Sequence, residues 1–280
     1  MERGAIAVED AVARGLAAAK VYAFASADYP GAALSLIFDS DGTTAVGAFE
    51  FDPGSATSPP TAFTFTAGVY QILTVPGSNA SIATGINGAG VIAGVYEDVG
   101  KMTHGFTDNG GTFTTIDFPG AKSTQAIDIN DAGRIVGDYV DAGNVEHGFV
   151  SSGGAFTAID FPGATATAAA GINNAGHIVG VWSDATTTHG FLLKDGIFTP
   201  INFPLAIRTT AFGINDNGEI AGFYDDAAGN THGFIFSDGA FSDVDVAGAR
   251  GTQLIRIKND GLVTGGFLDA LSEQHALIGQ

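Results

Sequence analysis

The chain has 280 residues, and Asp and Glu outnumber Lys and Arg by 30 to 11, giving a formal net charge of −19 at neutral pH. So acidic a protein excludes nucleic acid and anionic membrane as partners. Hydrophobic residues make up 45% of the sequence, which excludes a disordered chain, and the lack of cysteine excludes disulfides and thiolate metal sites.

Residues 5–19 read as a short helix, but Glu9, Asp10 and Arg14 interrupt the apolar core that a signal peptide needs. Residues 1–20 are set apart as an N-terminal extension, helical or disordered; if the protein is secreted, its signal has been removed from this sequence. No run approaches the roughly 18 apolar residues of a membrane span. Residues 21–280 form one domain, beginning with a strand at 21–30.

From there a single unit recurs. Its anchor glycines are Gly47, Gly94, Gly137, Gly180, Gly222 and Gly265, at intervals of 47, 43, 43, 42 and 43 residues. A fixed period in this range marks an array of supersecondary units. The third copy shows the unit most clearly. Strands are expected at 124–130, 134–139, 147–150 and 155–160, separated by the turns Asp131-Ala-Gly133, Asp141-Ala-Gly-Asn144 and Ser151-Ser-Gly-Gly154. Asn, Asp and Gly cluster in these turns because they tolerate the positive φ that tight hairpins require. Each copy is therefore a four-stranded antiparallel meander. The first copy carries extra residues between Asp52 and Pro60, which accounts for the longer interval.

The two ends fix the topology. The sixth copy stops at Gln280 after its third strand, and residues 23–31 align with the fourth strand and Pro-Gly corner of the second copy, residues 112–120. An N-terminal strand that completes the C-terminal sheet closes a ring and leaves first and last sheets locked together. The expected fold is all-β: a six-bladed β-propeller with 3+1 closure, its last blade made of 249–280 plus the strand at 21–30.

The pattern Gly-Ile-Asn-x-x-Gly-x-Ile-Val-Gly, followed by His-Gly-Phe and Phe-Thr-x-Ile-Asp-x-Pro-Gly-Ala, resembles the bacterial HAF repeats, known as probable extracellular repeats. The resemblance covers about residues 20–280. It implies a secreted or surface-exposed bacterial repeat protein, and it brings no catalytic residues with it.

Five copies begin the third strand with histidine (His104, His147, His189, His232, His275), and each has an upstream turn aspartate (Asp98, Asp141, Asp184, Asp226, Asp269). Residues that recur once per blade are spread around the ring and do not converge on one centre, so structural hydrogen bonding accounts for them. The turn Asp39-Ser-Asp-Gly42 supplies two of the oxygens of a calcium loop, but Ile37 stands in the place of the third. No cofactor or metal is expected, with calcium kept as the alternative. Trp182 replaces tyrosine in its column and reads as packing, and His177 as a variable strand position.

A specific site is sought where the copies disagree. Two positions before the turn Asn, the inner-strand column reads Ile37, Gly85, Asp128, Gly171, Gly213 and Arg256. Asp128 and Arg256 fall in opposed blades and are expected to face one another across the channel. Gln125 and Gln253 occur in those same two blades. Lys122, Arg208 and Arg250 follow the corners between blades, where scarce cations could form an anion site. No nucleophile elbow, phosphate loop, dinucleotide fingerprint or zinc-protease motif is present. The reading is a non-catalytic binding module for a glycan or small polar ligand at the channel mouth. The alternatives are a hydrolase or lyase working in the channel, and a purely structural or adhesive repeat.

Overall fold

The structure, a computed structural model, describes residues 22–52 and 58–280; the expected N-terminal helix lies outside the described residues. Every element in them is a strand. A short strand β1 (Phe24–Ser26) precedes β2 (Leu34–Ser40), β3 (Thr44–Glu50), β4 (Thr61–Thr66) and β5 (Val69–Ile72). The second repeat holds β6 (Ser78–Ile86), β7 (Ile92–Asp98), β8 (Thr103–Asn109) and β9 (Thr112–Ile116). The third holds β10 (Ser123–Ile129), β11 (Ile135–Val140), β12 (Glu146–Ser152) and β13 (Ala155–Ile159). Next come β14 (Ala166–Ile172), β15 (Ile178–Ser183), β16 (Thr188–Lys194) and β17 (Ile197–Ile201). The fifth comprises β18 (Arg208–Ile214), β19 (Ile220–Asp225), β20 (Thr231–Ser237) and β21 (Ala240–Asp243). The last is β22 (Gly251–Ile257), β23 (Val263–Leu268) and β24 (Gln274–Gly279).

Repeats two to five each form a separate four-stranded antiparallel sheet in meander order. The remaining strands form one eight-stranded sheet, in which β24 meets β2 through one parallel pair, Leu34 with Gln274. The N-terminal strand β1 pairs antiparallel with β24, Phe24 opposite Gly279 and Ser26 opposite Leu277. The first strand of each repeat packs against the first strand of the next, and the circle closes from β22 back onto β2.

The anchor glycines follow from this packing. A Cβ at Gly94 would strike the carbonyl of Ile82 on the neighbouring strand and the ring of Phe106, and the same pair of obstacles stands at Gly180 and Gly222. Here the inner strand carries a β-bulge, as between Ala126 and Asp128 in the third repeat, and a bulge turns the strand and re-aims its side chains. The freed space is filled by one phenylalanine in each of the first five repeats, Phe63, Phe106, Phe149, Phe191 and Phe234, and by Leu277 in the last, all fully buried. Each contributes about 1.5–3 kcal/mol by leaving water.

Between repeats, hydroxyls hold the connections. Thr124, Thr167, Thr209 and Thr252 accept the backbone N–H of Phe118, Phe161, Phe203 and Val246, each at 3.0 Å.

Candidate functional site

The bulge brings one side chain per repeat to the axis of the ring. Register identifies that column as the residue opposite Val46, Ala93, Val136, Val179, Ala221 and Thr264: Asp39, Gly85, Asp128, Gly171, Gly213 and Arg256. The first member is thus Asp39, not Ile37 as the sequence alignment has it. The turn of the first repeat is one residue shorter than the others, and this moved the column by two.

Asp128 and Arg256 meet across the axis, with Nη2 3.6 Å from Oδ1 and both side chains buried. The guanidinium does more than pair. Nη2 donates to the carbonyls of Ile127 (2.9 Å) and Thr84 (3.4 Å), and Nη1 to those of Ile255 (3.2 Å) and Phe212 (3.3 Å). Arg256 therefore ties together four inner strands, β6, β10, β18 and β22. Glycine is needed at 213 because a Cβ there would lie 2.8 Å from the Arg256 Cα. The Arg256 Nε is buried without a partner.

A second ion pair sits beside the first. Lys258 Nζ lies 2.6 Å from Asp39 Oδ1, with Asp39 buried and Lys258 29% exposed. Both aspartates also bind backbone. Asp39 accepts from the N–H of Ser40 and Ile86, and Asp128 from those of Ile129 and Ile172. Burial pushes the Asp128 carboxyl above its ordinary range, and Arg256 opposes that shift.

Above this layer, the first turns of the repeats build a rim. Asn87, Asn130, Asn173 and Asn215 each donate from Nδ2 to the carbonyl of the next turn, at Asn130, Asn173, Asn215 and Lys258. An outer course repeats the theme, with the N–H of Gly88, Asp131, Asn174 and Asp216 donating to Asp131, Asn174, Asp216 and Asn259. Neither course runs through the short turn of the first repeat: Asp41, whose carboxylate has no N–H to donate, replaces the asparagine of the inner course, and Gly42 has no side chain to accept in the outer one. The rim encloses a cavity of about 360 Å³ whose lining includes Asp39, Asp128, Arg256 and Lys258.

The other expected residues lie elsewhere. Gln125 is not in the channel: its Nε2 donates to Asp138 Oδ2 (3.2 Å) on the face of the third sheet that meets the fourth. Gln253 lines a cleft with Gly266 and Gln274. Lys122, Arg208 and Arg250 precede the inner strands and so sit at the end opposite the rim. The structure does not bring them together, because each is held within its own repeat: Lys122 by Asn144 (2.7 Å), Arg208 by Asp225 (2.8 Å) and Arg250 by Ser272 (2.7 Å).

The histidine column is a scaffold with two carboxylates. His147 stacks on Tyr139 and sits between Asp160 at Nδ1 (2.7 Å) and Asp141 at Nε2 (3.6 Å). His104, His232 and His275 repeat the arrangement, and at His189 the Nδ1 partner is Asn202. Sequence reasoning paired each histidine with its turn aspartate and missed the second partner, which stands a constant 13 residues downstream in four repeats. Among the described residues, Asp269, Glu273 and His275 are the one grouping of metal-type ligands, and His275 there is already bound to Asp28 and Asp269. Trp182 stacks between Phe161 and His189.

No family model matches the chain, and no curated protein matches it in sequence. Solved structures do. TolB from Acinetobacter baumannii matches with a TM-score of 0.60 at 9% identity, covering 85% of this chain and 64% of TolB, so the chain spans less than two thirds of that protein. The beta-propeller domain of the Trilobed protease from Pyrococcus furiosus matches at 0.53 and 11% identity, covering 84% of this chain and 80% of that one. The fold is a β-propeller. A third propeller-like match, the SapL1 lectin in complex with alpha methyl fucoside, has a TM-score of 0.55 at 13% identity and covers 84% of this chain and 88% of the lectin. Identities this low carry the fold alone.

Proposed function

We propose that the protein is a secreted or surface-exposed six-bladed propeller that binds a glycan or small polar ligand at the rim of its channel, without catalysis. The count of six follows from dividing the eight-stranded sheet at its lone parallel pair, Leu34–Gln274, with β1 as the fourth strand of the last blade. The secreted or surface-exposed location rests on the resemblance of its repeat motifs to the HAF repeats.

One observation carries the binding reading: the cavity at the rim is lined by a turn from every repeat, and a half-open ammonium, Lys258, lies within it. Amide, carboxylate and ammonium groups around one small concavity suit a ligand rich in hydroxyls. Asp39 and Asp128 are poor candidates for acid–base or nucleophilic work, because both oxygens of each already accept backbone N–H groups. That SapL1 holds a methyl fucoside shows that this kind of fold can present a sugar site.

The test is a glycan array followed by calorimetric titration of the hits. Saturable binding at millimolar concentration or tighter, weakened about tenfold or more by Lys258→Met, is expected. Absence of any binding, or full binding by the Lys258→Met variant, overturns the reading.

A further inference from the structure

The third-strand position that faces the preceding repeat is not filled alike in all copies. It is Phe65, Leu193 and Phe236 in the first, fourth and fifth repeats, and each packs into the adjoining core. In the second it is Asp108, whose Oδ1 accepts the N–H of Gly111 at 2.7 Å. In the last it is Gly279, and the ring of Phe24 lies over the space. In the third it is Ser151, opposite Ile135 and Phe156. Ser151 is only 3% exposed and carries the smallest side chain, after glycine, found at this position. Where the other copies put a ring, a branched chain or a bonded carboxylate, this one leaves room. The result is a cavity of about 470 Å³ between the second and third repeats.

Its walls are chemically mixed. Thr107, Thr114, Ser151 and Asp117 line it, the carboxylate of Asp117 being held by His104, together with Ile135 and Phe156. Hydroxyl and carboxylate groups beside an aromatic ring match the alternating polar edge and apolar face of a sugar ring. We propose that this cleft is a second ligand site, taking a neutral monosaccharide-sized polyol, independent of the channel rim.

Saturation-transfer NMR with free glucose, galactose, mannose and fucose, each at up to about 10 mM, tests it. At least one sugar should receive saturation from the wild-type protein and from Lys258→Met. Ser151→Leu, which installs the residue found at 193, should abolish that transfer while keeping or raising the melting temperature. Thr114→Val leaves the volume open and should weaken binding about tenfold, which decides the matter if Ser151→Leu fails to fold. No transfer from any sugar to the wild type, or transfer unchanged in both cleft variants, overturns the proposal. Transfer lost only in Lys258→Met also overturns it, leaving the rim as the site.

Discussion

The guanidinium of Arg256 crosses the axis of the ring to lie 3.6 Å from the carboxylate of Asp128, and both side chains are buried. A pair so placed costs much to desolvate, and removing one partner strands the other. Arg256→Met should therefore destabilise the protein by about 3–5 kcal/mol in urea unfolding. Adding Asp128→Asn should restore part of the loss, because the stranded charge disappears with it. A double variant as unstable as the two single losses summed would show that the two residues act separately.

The histidine–aspartate contacts alone set a stability maximum near pH 5–6. His147 is raised above its usual value by its hydrogen bond to Asp160, and His275 by its bond to Asp28. Their contribution is fully present below the unfolded histidine value of about 6.5 and is lost as pH climbs through the folded values. Asp98, Asp141 and Asp269 are held low by the backbone N–H groups of Met102, Val145 and Glu273. Their contribution is present above about pH 4 and is lost as pH falls through the folded values. Thermal melts from about pH 3 to 9 check this; a melting temperature that rises between pH 6 and 8 contradicts it.

Asp138 stands where other repeats carry Val95, Val181 and Phe223. Burial pushes its carboxyl up to about 7, the nearby Glu146 adds to the shift, and Gln125 opposes it. The facing strands β14 and β15 bring no charged side chain to it. The folded state then holds a proton that the unfolded state releases above about pH 4, so stability falls from there to about pH 7. Asp138→Asn keeps the amide contact and removes the titration. It should stabilise the protein at pH 8 by an amount on the order of 3 kcal/mol and have little effect at pH 4. Equal effects at both pH values would contradict this assignment.

Much of the scaffold is legible in the sequence because repetition repeats its causes. The anchor glycines, the turn asparagines and the histidines recur wherever a bulge, a rim bond or a double carboxylate contact recurs. The short turn defeats the same logic. Asp39 belongs with Asp128 when counted back from the anchor glycine with one residue missing, yet aligning the turn glycines hides it behind Ile37. Lys122, Arg208 and Arg250 do not converge for another reason: long side chains choose partners within their own repeat, which column positions do not reveal. Gln125 reads as a channel residue because it shares a repeat with Asp128, but it precedes the bulge, lies opposite Asp138 and is taken up by that residue.

Leu205 occupies the corner position held by glycine at 31, 77, 120, 163 and 248, with φ of 65° and 85% exposure. A branched residue there bears the left-handed strain and buries nothing in return. Leu205→Gly should raise stability by about 0.5–1 kcal/mol, the strain relieved exceeding the added chain entropy. A lowered melting temperature would show that the leucine side chain holds the corner.

A co-crystal structure with the tightest array ligand shows whether the rim is the binding site. The prediction is ligand density in the cavity beside Lys258 and the turns at Asn130, Asn173 and Asn215. A saturated crystal whose rim holds only solvent, with the ligand bound elsewhere on the protein, would contradict it.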